Sequence, residues 1–294
     1  MLDQKIFLAE YHLADDFEKS NLDWEILEAI YEDYNREAYS ILQERANQLV
    51  AELNQKRKDI RGQRLDWGKD IHVIYGRAKE PEHVIEKIIR KVGSEDSQKY
   101  QGINVDTYKD ILRDLIGIRV IVIKKEGWKE AHELIKALFQ KFYDHTPKAY
   151  VCYGDRKIFD EESIDVDYTV KGYRSQHYII RYEGSYVEIQ VRTLAEEVYG
   201  EFDHRVRYPY FRNNKFLIRY TNMISRGIAE IDDMISTCMQ LDGELLEVLN
   251  HKFEEDKYVD WAKEQGNSQD LMSIDGSDNI KSGNAEEILR NKLL

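Results

Sequence analysis

Tyr186-Val187-Glu188-Ile189-Gln190-Val191-Arg192-Thr193 alternates apolar and polar residues with a period of two. Side chains alternate across a β-strand, so this stretch predicts Val187, Ile189 and Val191 in a core and Glu188, Gln190 and Arg192 in a row on the opposite face. An acid, an amide and a base in one row are either a strand face left in water or part of a site. The rest of the sequence decides between these readings.

Between about residue 70 and residue 193, apolar runs of strand length alternate with helical stretches. Strands are expected over Ile71–Tyr75, Ile118–Ile123, Ala149–Tyr153, His177–Tyr182 and Tyr186–Val191, with helices near Pro81–Lys91 and Trp128–Phe142. This pattern predicts an α+β domain. Residues 21–65 carry apolar side chains at helical spacing, among them Leu22, Ile26, Ile30, Tyr34, Leu42, Ala46 and Leu49, and so predict two helices packed on that domain. From Leu194 to about Phe253 helical spacing returns, with Leu217, Ile218, Met223, Ile224, Ile228, Ile231, Met234 and Ile235 forming a stripe suited to a core or a subunit interface. Glu264–Gly283, rich in Gly, Ser, Asn, Gln and Asp, reads as a linker, and 284–294 as a short helix. The expected organisation is a helical extension over 1–65, the α+β domain with its closing helices over 66–253, and a linker with a short helix over 254–294.

The chain has 294 residues, with 43 Lys plus Arg against 56 Asp plus Glu and a net charge of −13. That charge argues against a protein that coats nucleic acid with its whole surface, while leaving room for a local basic patch. Cys152 and Cys238 form no metal-ligand pattern and no disulfide framework, which favours a reducing, cytoplasmic setting. No apolar run approaches a membrane span, and the acidic start of the chain is unlike a signal peptide.

Three further segments stand out: Gly76-Arg77-Ala78-Lys79-Glu80-Pro81, Asp114-Leu115-Ile116-Gly117-Ile118-Arg119 and Lys171-Gly172-Tyr173-Arg174-Ser175-Gln176-His177. Arg77 and Lys79 are two apart at a strand end and face one way, and Pro81 opens a helix on which Lys87 and Lys91 share a side. These cations are either a solvated basic surface or a phosphate site. Asp114 stands at the mouth of an apolar strand in which Arg119 is a charged outlier that needs a partner. That partner is either a structural carboxylate or a bound anion.

Together and in this order, the four segments resemble the synthetase domain of the RelA/SpoT family, the ATP-dependent pyrophosphokinases that make guanosine tetra- and pentaphosphate. The resemblance covers roughly residues 45–245 and implies a mixed-sheet, nucleotidyltransferase-like fold. It implies that Arg77, Lys79 and Lys87 bind ATP phosphates, that Asp114 holds Mg²⁺ and that Arg119 lies beside the nucleotide. It gives Glu188 the activation of the acceptor's ribose 3′-hydroxyl or the holding of a second Mg²⁺, with Gln190 and Arg192 beside it as catalytic candidates. Lys171, Tyr173 and His177 then fall on the acceptor side, Tyr173 as a stacking face for a purine; His204 also matches a family position. The competing structural reading stands for Tyr173, one of 20 tyrosines, and for the two histidines.

The sequence also departs from the family. Where members that use GDP or GTP carry a Lys-Pro-Asn-like run before the Gly-Tyr, this chain reads Thr169-Val170-Lys171. His83 replaces a serine common after the Arg-x-Lys motif, and Val198-Tyr199-Gly200 stands where a Trp is usual. From His204 to Tyr220 the chain holds Arg205, Arg207, Arg212, Lys215 and Arg219 with no acid, interleaved with Tyr208, Tyr210, Phe211 and Phe216. Such a run suits unstacked RNA bases and phosphates, or else supplies cations to the active-site rim and partners to Glu196, Glu197, Glu201 and Asp203. Some toxic small members of the family pyrophosphorylate the 3′ end of tRNA, so tRNA is the alternative acceptor to GDP or GTP. A catalytically inactive nucleotide-binding scaffold is the alternative of another class. No His-Asp dipeptide of the family's hydrolase domain occurs, so the resemblance is to a small, synthetase-only member. A homo-oligomer and an antitoxin or inhibitor protein are the partners the resemblance leaves open.

Overall fold

The computed structural model describes residues 2–65, 67–93, 97–151, 164–168, 174–206, 211 and 214–264, with residues 97 and 242–264 described by backbone alone. It divides into two compact units, Met1–Ser236 and Thr237–Leu294. The first unit begins with four helices: α1 (Gln4–Glu10), α2 (Ala14–Ser20), α3 (Trp24–Asp33) and α4 (Tyr39–Gln63). Strand β1 (Ile71–Ala78), α5 (Pro81–Val92), α6 (Tyr108–Ile111), β2 (Ile116–Val122) and α7 (Trp128–Phe139) follow. The sheet is completed by β3 (Lys148–Val151), β4 (Asp165–Tyr168), β5 (Ser175–Tyr182) and β6 (Ser185–Thr193), before α8 (Leu194–Val206) and α9 (Lys215–Glu264). In the second unit, residues from Thr237 to Glu264 continue as helix.

The sheet is mixed, with six strands in the order β1-β2-β6-β5-β3-β4. β2 and β6 run parallel, Gly117 opposite Glu188 and Arg119 opposite Gln190, while β1 and β5 flank them antiparallel. The expected alternation is realised: Val187, Ile189 and Val191 are fully buried, together with Ile116, Ile118 and Val120 from β2. Helices α4 and α7 cover this apolar face, with Ala46, Leu49, Leu53, Leu134 and Ile135 in the same core cluster. At roughly 25 cal/mol per Å² of apolar area removed from water, this continuous core is the main force holding the sheet to its helices. The other face keeps its polar row.

The strands are mostly longer than the apolar runs alone suggest: β1 continues through Arg77 to Ala78, and β6 runs to Thr193. The helical phase over 21–65 is right, but a π-helical turn, Tyr34–Ala38, separates α3 from α4. Helices α1 and α2 fall within the helical extension expected over 1–65, where only the helices of 21–65 are delimited by the sequence, and the edge strand β4 is not expected from it. Residues 152–163, with Cys152 and Tyr153 of the expected strand, lie outside the described residues, as do the linker and the short helix expected after residue 264. No helix among the described residues is long and apolar enough to cross a membrane.

Candidate active site

The C-terminal end of β1 delivers the first group of functional side chains. Gly76 is required there: a Cβ would come within 2.3 Å of Ile118 Cδ1 and 3.1 Å of the Gly117 carbonyl oxygen, so only glycine lets β1 close on β2. Beyond the strand, the Lys79 amide donates to the Leu115 carbonyl at 2.8 Å, and Tyr34 Oη donates to the Lys79 carbonyl at 2.7 Å. Tyr39 Oη donates to Glu80 Oε1 at 2.9 Å. Tyr34 opens the π turn and Tyr39 follows it, so that irregularity aims both hydroxyls at the turn carrying Lys79.

Lys79 and Lys87 converge on Asp114. Lys79 Nζ lies 3.0 Å from Oδ2 and Lys87 Nζ 2.5 Å from Oδ1. Burial by itself would raise the Asp114 carboxyl; the charges and hydrogen bonds of the two ammonium groups overturn this and hold it well below the usual carboxylate range. Arg77, on the same strand end, is exposed and makes no hydrogen bond or ion pair among the described residues.

The polar row of β6 forms the second group. Glu188 Oε1 meets His177 Nδ1 at 2.9 Å, and Glu188 Oε2 accepts from Gln190 Nε2 at 2.7 Å. Arg192 Nη2 donates to Gln190 Oε1 at 2.7 Å, which fixes the orientation of the amide and leaves its NH₂ for Glu188. Burial pushes the Glu188 carboxyl up, but the hydrogen bond and charge of His177 outweigh it, and the net direction is down. Asp114 pushes in the raising direction, so the two carboxylates feel one another across the β2–β6 seam. Arg192 is buried, with further bonds from Nη1 to Glu197 Oε2 at 3.1 Å and from Nε to Ser175 Oγ at 3.4 Å. It holds Gln190 from the end of the row.

Helix α8 turns its carboxylates to the strand arginines rather than to the basic run after His204 among the described residues. Glu197 Oε1 accepts from Arg119 Nη1 and, at 2.6 Å, from Tyr75 Oη, while Glu201 Oε1 accepts from Arg119 Nη1 at 2.8 Å. Burial opposes the Arg119 charge, but Glu201, Tyr75 and Glu197 reverse this and bind its proton more firmly. Arg119 thus has the carboxylate partners of the structural reading, and it stands opposite Gln190 across the β2–β6 pair. Gly200 leaves room for the Arg192 guanidinium, since a Cβ there would lie 2.5 Å from Arg192 Nη1. The helix starts on a reciprocal cap: Thr193 N donates to Glu196 Oε2 at 2.8 Å, and Glu196 N donates to Thr193 Oγ1 at 3.1 Å. His204, one turn past Glu201, has its pKa lowered by desolvation, against the pull of Glu201 and with the push of Arg119 and Lys79.

Arg77, Lys79, Lys87, Asp114, Arg119, His177, Glu188, Gln190 and Arg192 therefore lie on the polar sheet face or at its β1–β2 end. Lys171 and Tyr173, with Thr169 and Val170, lie outside the described residues. Among the described residues no group of three or more His, Cys, Asp or Glu side chains gathers into a metal site. Asp114 and Glu188 offer hard carboxylate oxygens, the donors Mg²⁺ takes when it keeps phosphate and water for most of its shell. The residues present fit such an ion.

Paired cations and two mutually sensed carboxylates lie at the β1–β2 end and on the polar face of a mixed sheet in an α+β domain. Residues 76–213 match the family described as "Region found in RelA / SpoT proteins". Among solved structures, a GTP pyrophosphokinase family protein from Streptococcus pneumoniae is similar at 22% identity and a TM-score of 0.48, over 74% of this chain and 93% of that one. The small alarmone synthetase 1 from Bacillus subtilis is similar at 19% identity and a TM-score of 0.48, over 69% and 93%. The same synthetase bound to its product pppGpp gives 19% and 0.45, over 67% and 92%. No curated protein matches the sequence.

Proposed function

We propose that this chain is an ATP-dependent pyrophosphokinase that moves the β,γ-pyrophosphate of ATP to the ribose 3′-hydroxyl of GDP or GTP. In this reaction the 3′-oxygen bonds to the β-phosphorus, the bond from that phosphorus to the α,β-bridging oxygen breaks, AMP leaves, and the hydroxyl proton passes to a base. The observation that carries the reading is Glu188. Its carboxylate is held in the charged form at the parallel β2–β6 seam, fixed by His177 and Gln190. Such a group can accept the hydroxyl proton, typically a contribution of roughly 10² to 10⁴ in rate.

Lys79, Lys87 and Arg77 would hold the triphosphate, the first two by exchanging Asp114 for phosphate oxygens. Mg²⁺ held by Asp114 and Glu188 would neutralise charge that develops on the transferred group. Arg77→Ala is expected to weaken ATP binding by about tenfold or more, the loss of one charge-assisted contact, with no change in melting temperature. Lys79→Ala is expected to weaken it similarly. Calorimetric titration with a non-hydrolysable ATP analogue checks this, and unchanged affinity in both variants refutes the placement.

Labelling from [γ-³²P]ATP in the presence of GDP, GTP or bulk tRNA tests the function. Label in guanosine tetra- or pentaphosphate is the expected result. The departure at Thr169-Val170-Lys171, with exposed Arg205, Lys215 and Arg219, supports tRNA as the second reading. Label in tRNA alone would establish it. Label in neither acceptor would leave a nucleotide-binding scaffold.

A further inference from the structure

The part of α9 within the first unit turns a polar face inward. Thr221, Ser225 and Asp232 follow one another at helical spacing, and all three are buried. Asp232 is fully enclosed. Its Oδ2 accepts from Thr193 Oγ1 at 2.8 Å, while its Oδ1 has no hydrogen-bond partner among the described residues. Ser236, one turn further along, also has a buried Oγ without one.

Thr193 joins Asp232 to Glu196. The Thr193 amide donates to Glu196 Oε2 at 2.8 Å, so two carboxyl groups, one from α8 and one from α9, meet on a single threonine. A buried carboxylate oxygen that lacks a donor is costly when charged, and a proton converts the carboxyl into a donor. The second carboxyl adds to that cost, because two like charges in one enclosed place cannot both ionise cheaply. The charges that bear on the pair are Arg174 at the entry to β5, Arg192 on β6, Lys125 before α7 and Asp233 on α9. Arg174 favours the ionised form of both carboxyls, Arg192 that of Glu196 and Lys125 that of Asp232, while Asp233 opposes it. These cations do not balance two carboxylates. Burial, and then the field of Asp232, push the Glu196 carboxyl up to about 7, and burial raises Asp232 despite its bond from Thr193.

We propose that Glu196 and Asp232 share one proton and form a proton-dependent clasp between the start of α8 and the inner face of α9, closed when the proton is bound and loosened when it leaves. The titration belongs to the pair and to neither residue alone. Its sign is fixed by the direction of the shifts. Both carboxyls lie above their ordinary 4.5 and 3.8, so the folded protein keeps a proton that the unfolded chain has released. Docking of α9 is therefore tightest below about pH 4.5 and weakens as pH rises through about 7. The clasp requires no particular chemistry at the polar sheet face, but it lies next to it: Glu197, the following residue of α8, bonds both Arg119 and Arg192.

Hydrogen exchange of the full chain, corrected for intrinsic rates, should show the amides of 218–236 protected about tenfold or more better at about pH 6 than at about pH 8. Glu196→Gln and Asp232→Asn each keep an acceptor for Thr193 and remove one charge. Each variant should therefore exchange in the alkaline sample at the slow rate that wild type shows in the acidic one. A pair needed only for its hydrogen bonds would instead lose protection on substitution. The infrared difference spectrum between wild type and Glu196→Gln in the acidic sample should contain a protonated-carboxyl band that fades in the alkaline one. Wild-type protection that does not change with pH overturns the proposal, whatever the variants do. So does a pH dependence that persists in the double amide variant, and so does faster exchange in both single variants in the alkaline sample, which would make the two carboxyls purely structural.

Discussion

Glu188→Gln is expected to fold with a wild-type melting temperature and to lose pyrophosphate transfer by on the order of 10² or more. The substitution keeps side-chain volume and one carbonyl acceptor, so the row Glu188–Gln190–Arg192 keeps its packing. It removes the charge. In the wild type that charge is maintained against burial by His177, first through its hydrogen bond and then through its field, with Gln190 adding a donor. Because the carboxyl is held below its ordinary value of 4.5, the acid limb of the kcat/KM profile that Glu188 sets should lie below that value. A neutral amide cannot accept the 3′-hydroxyl proton, so kcat should fall much more than the affinity for ATP, which the proposal assigns to Arg77, Lys79 and Lys87. Single-turnover rates with saturating ATP and acceptor measure this. Near wild-type turnover by the folded variant would end the assignment of Glu188 as the base.

What was legible in the sequence follows from which interactions are local. The polar row of β6 is a period-two pattern within a single strand, and its neighbours Gly117 and Arg119 come from the adjoining parallel strand. The need of Arg119 for a partner could be read from a charge in an apolar run. Its partners, Glu197 and Glu201, could not, because they stand 78 and 82 residues away on α8, and i, i+4 spacing is common to many solvated helices. The Thr193-x-x-Glu196 pattern, which opens α8 with a reciprocal cap, was the local signal that would have placed that helix. Lys79 and Lys87 were visible as cations with suitable spacing, but their meeting on Asp114 depends on how β1, α5 and the β2 entry fold together. β4 was missed because its alternation is only four residues long and half of it is Asp, which strands disfavour; its place at the sheet edge tolerates charge, and Asp167 pairs with Lys148 across to β3. Short α1 and α2 carry too few periodic apolar residues to announce themselves. The π turn at Tyr34–Ala38 leaves no trace in the apolar pattern, although it aims Tyr34 and Tyr39 at the turn bearing Lys79.

Asp114→Asn is expected to reduce pyrophosphate transfer by on the order of 10² and to raise the Mg²⁺ concentration needed for half-maximal rate. Without nucleotide, the wild-type carboxylate separates two ammonium groups. An amide leaves Lys79 and Lys87 facing each other with no counter-charge, so stability at neutral pH should fall by on the order of 2 kcal/mol, less than for a wholly buried pair because all three side chains keep some exposure. The linkage to pH has a definite sign. The Asp114 carboxyl is lowered in the folded state from its ordinary 3.8, so its contribution is fully present above that value and is lost as pH falls through it towards the folded value. Wild type should therefore lose stability in acid below about pH 4, and the variant should lose less over the same interval because it has already lost this interaction. Bound ATP should recover more stability in the variant than in wild type, since phosphate supplies the missing negative charge to Lys79 and Lys87. A variant with an unchanged metal requirement and a wild-type rate would make Asp114 a structural counter-ion. Unchanged stability between pH 7 and pH 3 relative to wild type would show that the two lysines do not depend on it.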